Sequence, residues 1–84
     1  MSKIIPPRLR WACRRGMLEL DLLLGNFLEE AFLFLSDHEK ALFIQLIEIN
    51  DQDLFLWLTG KEISKNQELN LIIEKIRHHA ERRH

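Results

Sequence analysis

Ser36-Asp37-His38-Glu39-Lys40-Ala41-Leu42-Phe43-Ile44-Gln45-Leu46-Ile47-Glu48-Ile49 carries its own start signal and too much hydrocarbon for a surface element. Ser36 and Glu39 stand three apart ahead of an apolar run, which is the spacing of a capping box. The serine hydroxyl accepts from the backbone N–H three residues on, and the glutamate reaches back to the serine N–H. From 41 to 49 the run is apolar over more than half of a helix circumference, with only Gln45 and Glu48 as polar relief. A helix of that kind is expected in the middle of an α-helical bundle.

The flanking segments keep the same period. At 100° per residue, residues 17–35 put Leu20, Leu24, Phe27, Leu28, Ala31, Phe34 and Leu35 on one broad face, with Glu19, Asn26, Glu29 and Glu30 opposite. Gly25-Asn26 is a place for this helix to bend or divide. Pro6-Pro7 suits the first turn of a helix over 8–15, which Gly16 would stop or kink. Downstream, Asn50-Asp51 caps a helix over 52–58 with Phe55 and Trp57 as core anchors, and Thr59-Gly60 ends it. A last helix starts near Ser64 or Asn66, carries Leu69, Ile72, Ile73, Ile76 and Ala80 in one stripe, and frays into a polar tail from His78. With three Gly, two Pro and no Tyr, strand and hairpin signals are scarce. The expected fold is all-α, a compact bundle of about five short helices. Residues 1–84 read as a single domain, with 1–7 an N-terminal arm and 79–84 a polar tail.

At 84 residues, 46% hydrophobic and 30% charged, the chain falls in the globular class. One cysteine, Cys13, excludes an internal disulfide and suits a reducing compartment. No apolar run approaches the ~20 residues of a membrane span, and Pro6-Pro7 and arginines interrupt the N-terminus where a signal peptide would need hydrocarbon. A soluble cytoplasmic protein with no membrane insertion is expected. The net charge of −1 hides three blocks: +5 over residues 1–16, −8 over 17–60 and +2 over 61–84. A nucleic-acid reading would use Lys3, Arg8, Arg10, Arg14 and Arg15, yet phosphate binding needs a broad basic face and the acidic middle would repel it. Internal pairing or a protein partner accounts better for the segregation.

Trp11-Ala12-Cys13-Arg14-Arg15-Gly16-Met17-Leu18-Glu19-Leu20-Asp21 is the segment that packing alone does not explain. On a continuous helix Arg15 and Glu19 would form an ordinary surface pair worth roughly 0.3–0.5 kcal/mol. The order is the less favourable one, however, and a glycine between them costs a helix about 1 kcal/mol relative to alanine. A turn, or the close approach of another backbone, explains Gly16 better. Arg8, Arg14, Arg15, Gly16, Met17 and Glu19 are therefore the candidate partner-binding set, with Leu22 and Leu33 at its rim. Asp21 falls among Leu28, Phe32 and Leu35 on the apolar side. It is expected to be structural, paired with an arginine of the first helix or with the Trp11 indole N–H. Cys13 reads as a small core residue rather than a nucleophile. His38, His78, His79 and His84 lack metal-ligand spacing, and no Gly-rich phosphate loop is present, so no catalytic residue, metal site or stably bound flavin is expected.

The string from Trp11 to Met17, then Glu19-Leu20-Asp21, resembles the flavinator family of succinate dehydrogenase, small FAD assembly factors whose signature is Arg-Gly-x-x-Glu. Arg15, Gly16 and Glu19 match it. The resemblance continues through Leu35-Ser36-Asp37-His38-Glu39-Lys40 and Asp51-Gln52-Asp53-Leu54-Phe55-Leu56-Trp57-Leu58, covering roughly 8–60; the last helix matches only in character. It implies a bacterial cytoplasmic assembly factor, not an enzyme. Its partner would be the immature flavoprotein subunit of succinate dehydrogenase or fumarate reductase, and it would act as a monomer, meeting FAD at most in transit. The resemblance further implies that a client histidine bonds to the flavin 8α carbon and that the client's own active site performs that chemistry autocatalytically. The competing reading is an antitoxin-like or general protein-interaction module.

Overall fold

The computed structural model describes residues 4–82 and contains five α-helices: α1 (Pro7–Ala12), α2 (Leu18–Ala31), α3 (Asp37–Leu46), α4 (Asp51–Leu58) and α5 (Gln67–Arg82). A 3₁₀ turn, Phe32–Phe34, extends α2, and the described residues contain no strand. Lys3 and the last two residues of the expected tail, Arg83 and His84, lie outside the described residues. The Cα radius of gyration is 11.9 Å, matching the ~12 Å of a compact chain of this length.

The starts of α3, α4 and α5 are fixed by side chains of the expected kind, whereas α1 and α2 begin without a side-chain cap. Ser36 Oγ accepts from the Glu39 N–H at 3.1 Å, and Glu39 Oε1 accepts from the Ser36 N–H at 2.9 Å, completing the capping box. Asn50 Oδ1 accepts from the Asp53 N–H at 2.9 Å to open α4. Asn66 Oδ1 accepts from the N–H groups of Glu68 and Leu69 at 3.0 and 3.2 Å to open α5. Gly60 ends α4 with φ +80°, a left-handed turn that lets the Lys61 N–H reach back to Leu56 O at 2.9 Å.

α2 and α5 together organise the bundle. α5 packs against α2, α3 and α4, while α2 also meets α1 and α4. Leu20, Leu24, Phe27 and Leu28 of α2, Phe43 and Leu46 of α3, Leu54 of α4, and Ile72 and Ile76 of α5 are buried with almost no exposure. The Phe43 ring lies 5.7 Å from Phe27 and 5.5 Å from Phe32, centroid to centroid.

Several sequence expectations shift here. α1 ends at Ala12 instead of 15, and Ile5 of the supposed arm is buried in the core. α2 runs unbroken through Gly25-Asn26. The 3₁₀ turn winds more tightly than an α-helix, so Phe32 takes the core position and Phe34, expected inside, is 89% exposed. α3 is not central: it rests chiefly on α5, leaving Ala41 and Ile44 outward. α5 continues through His78 to Arg82, where a fraying tail was expected. Phe55, expected as a core anchor, is only partly buried against the core, as is Trp57, whose half-exposed position is in keeping with its place on α4.

Phe43→Ala removes the aromatic shared by α2, the 3₁₀ turn and α3. It should lower unfolding free energy by about 3–5 kcal/mol, read as a shift of the urea midpoint with the slope unchanged.

Candidate functional site

The chain leaves α1 at Cys13 and enters α2 after Met17, whose extended backbone (φ −110°, ψ 114°) precedes the first helical residue. Between them Gly16 sits at φ +83°, a left-handed conformation that side chains other than hydrogen adopt only with strain. A β-carbon there would meet nothing within 4 Å. Glycine is thus demanded by the backbone and not by crowding, and the space beside it is open.

Two anchors hold this loop from beneath. Asp21 Oδ1 accepts from the Arg15 N–H at 2.6 Å, tying the loop to the first turn of α2. The Arg15 side chain, 14% exposed, then turns inward. Its guanidinium donates to Asp51 Oδ1 at 2.8 Å, to Ala12 O at 2.9 Å, and to Ile47 O and Ile49 O at 2.5 Å each. A guanidinium carries five N–H donors in a rigid fork. Here the fork spans the corner between α1 and α2 and the corner between α3 and α4. It joins positions 36 residues apart in the chain.

Arg15, expected to face a partner beside Glu19, does not do so: α1 stops before it and the loop carries its side chain into the molecule. Glu19 is exposed on α2 and makes no hydrogen bond or ion pair among the described residues. Its carboxylate still lies in the first turn, where the helix dipole favours a negative charge. Asp21 is a structural residue, but its partner is a backbone N–H, neither an arginine side chain nor the Trp11 indole. Trp11 is 72% exposed, with the Arg14 guanidinium carbon 5.9 Å from its ring centroid. Arg8 is exposed on α1, and Met17 stands at the loop edge at 36% exposure.

Asp51 and Leu18 are the residues the sequence reading missed. Asp51 appears in sequence only as a helix-start acid, and no local spacing links it to Arg15. Leu18 is 71% exposed and Leu22 is 52% exposed, one turn apart on α2. Leu33, the other expected rim residue, is partly buried against the core.

Between α1 and α2 runs a groove of about 680 Å³ lined by Trp11, Arg14, Leu22, Gly25 and Asn26, among others. Buried Cys13 and Leu28 also line it, and Arg10 bridges the walls to Glu29 through Nε–Oε2 and Nη2–Oε1 contacts of 2.5 and 3.1 Å. Burial pushes the Cys13 thiol up to about 11, with Arg15 offsetting part of the effect. At neutral pH it is a protonated core thiol, not a nucleophile. Among the described residues no three His, Cys, Asp or Glu side chains converge as metal ligands. His38 pairs with Glu68 at 3.0 Å and His79 with Glu30 at 2.8 Å. No helix is long and apolar enough to cross a membrane among the described residues.

Arg15→Met would orphan the Ile47 and Ile49 carbonyls and leave Asp51 without its cation. A loss of about 2–4 kcal/mol is expected in denaturant unfolding. Asp51→Asn should cost less, about 1–2 kcal/mol, because three carbonyls still hold the fork. The double variant should fall short of the sum, since both changes remove one shared interaction.

Three comparisons bear on what this geometry belongs to. The family model described as "Flavinator of succinate dehydrogenase" matches residues 7–80. The FAD assembly factor SdhE of Shewanella oneidensis is 47% identical over 73 residues, covering 87% of this chain and 89% of that protein. The FAD assembly factor SdhE of Coxiella burnetii is 48% identical over 69 residues, covering 82% and 84% respectively. A solution structure titled as a UPF0350 protein superposes with a TM-score of 0.76 at 42% identity, covering 92% of this chain and 82% of that one. The family-model match over residues 7–80 and relatives of this identity and coverage settle the assignment: the chain belongs to the succinate dehydrogenase flavinator family.

Proposed function

We propose that this chain binds the immature flavoprotein subunit of succinate dehydrogenase, and that of fumarate reductase, and holds it in the arrangement from which FAD becomes covalently attached. One observation carries the reading. The loop around Gly16 is braced from inside by Arg15 and Asp21, while Gly16 and Glu19 face outward with no side-chain partner in the described chain. A surface so rigidly backed and so poorly satisfied suits a polypeptide partner.

In this reading Gly16 lets a client backbone approach closely. Glu19 offers its carboxylate for a charge-assisted hydrogen bond to a client donor. Arg8 and Arg14 add cations beside it, and Met17 adds apolar contact. Arg15 acts through the loop, as a positioning residue whose guanidinium is already occupied within the molecule. Flavin attachment is the client's own chemistry, and the factor's single thiol, buried and protonated, is in keeping with that division of labour. The factor works as a monomer in the bacterial cytoplasm and encounters FAD only through the client.

The test mixes Glu19→Ala or Gly16→Arg protein with the apo flavoprotein subunit, then measures complex formation by calorimetry and covalent flavin by in-gel fluorescence. Glu19→Ala should stay folded, since only a helix-dipole contribution of about 0.3–1 kcal/mol is lost. Its affinity for the client should drop about tenfold or more, with covalent flavin falling in step. Gly16→Arg should lose more, because a side chain at this φ both strains the loop and obstructs the approach. Wild-type behaviour in both variants would remove the loop from the mechanism.

A further inference from the structure

We propose that the groove between α1 and α2 seats a segment of the client flavoprotein, with an apolar client side chain lying on the bare backbone of Gly25 and a client carboxylate meeting Arg14. The inference rests on the client reading above and extends it to a second stretch of surface.

Gly25 carries the argument. It sits within α2, where glycine is the least favourable residue after proline. None of the usual reasons for glycine applies. Its φ is not positive, unlike those of Gly16 and Gly60, and it is too far from either end of α2 to be a cap. A β-carbon there would meet nothing within 4 Å, so no element of this chain needs the space. Gly25 lines the groove, and the cleared volume opens outward.

The surroundings specify the occupant. Trp11 and Leu22 leave apolar surface in the same groove, at 72% and 52% exposure. Leu18, one turn before Leu22 on the same side of α2, carries that exposed apolar surface toward the Gly16 loop. The groove charges are mostly committed: Arg10 is neutralised by Glu29, and Asp21 holds the Arg15 N–H. Arg14, stacked near Trp11, has no acid partner among the described residues. An occupant that pairs with it brings a carboxylate. An open groove walled by two helices suits a polypeptide segment laid along it, recognised by side chains at intervals.

The full-length chain with Gly25→Ala or Gly25→Leu, titrated with apo flavoprotein subunit, tests this. Gly25→Ala should raise the thermal midpoint, because it improves helix propensity and touches nothing, yet it should weaken client binding. Gly25→Leu should reduce affinity about tenfold or more by filling the groove; should it misfold, the alanine variant decides alone. A purely structural role for residue 25 cannot move stability up and binding down. Arg14→Glu should weaken binding likewise, and client addition should slow amide exchange over residues 22–26. If both Gly25 variants bind as wild type while Glu19→Ala fails, the groove proposal falls and the loop reading stands. If the wild-type chain binds no apo flavoprotein, both fall. If free FAD binds the wild-type chain and Gly25→Leu abolishes it, the groove belongs to a small molecule and the peptide assignment is overturned.

Discussion

A guanidinium cannot be taken out of water unless its N–H groups find acceptors, and that constraint shapes the end of this molecule that carries the Gly16 loop. Arg15 finds them in two different corners: Ala12 O on its own side, and Ile47 O, Ile49 O and Asp51 on the other. Those backbone carbonyls are available because α3 has ended and α4 has not begun. The helix break at residues 47–50 is therefore a receptor for Arg15, and the loop above it is held in one conformation as a result. Asp21 completes the brace by holding the Arg15 backbone while the side chain is gripped from below.

This arrangement explains why a segregated charge pattern yields a compact body. The basic N-terminal block meets the acidic middle within the molecule: Arg10 with Glu29, and Arg15 with Asp51. Lys75 of the C-terminal block likewise reaches Glu39 on α3, whose carboxyl is held below its ordinary range by the Ser36 N–H and then by Lys75. Internal pairing thus takes up Arg10 and Arg15, two of the cations that a nucleic-acid reading would have needed. Beside the Gly16 loop, Arg14 and Glu19 make no ion pair among the described residues.

Most of the fold was legible because it rests on local signals. Ser36 and Glu39, Asn50, Asn66 and Gly60 act within four or five residues of themselves, so their roles follow from spacing alone. The α5 stripe was equally plain, since Leu69, Ile72, Ile73 and Ile76 are all buried. The reading failed where a long-range contact overrode the local pattern. α1 stops early because the Arg15 backbone and side chain are held by Asp21 and by a distant corner. Phe34 points outward because the turn after α2 changes its winding, which 100° periodicity does not anticipate. The unexplained glycine does mark a left-handed turn, but Arg15, expected to face outward, points inward. Asp51 could not have been found, because nothing nearby in sequence marks it as the partner of a residue 36 positions away.

That separation has a consequence for the order in which the molecule is made. The helices depend on neighbours close in the chain and can form early, whereas the Arg15–Asp51 link must wait for a long loop to close. Until it closes, the segment around Gly16 has no floor. A half-folded or newly synthesised chain would lack the proposed docking surface, and recognition through it would be the property of a finished molecule rather than of a short peptide motif.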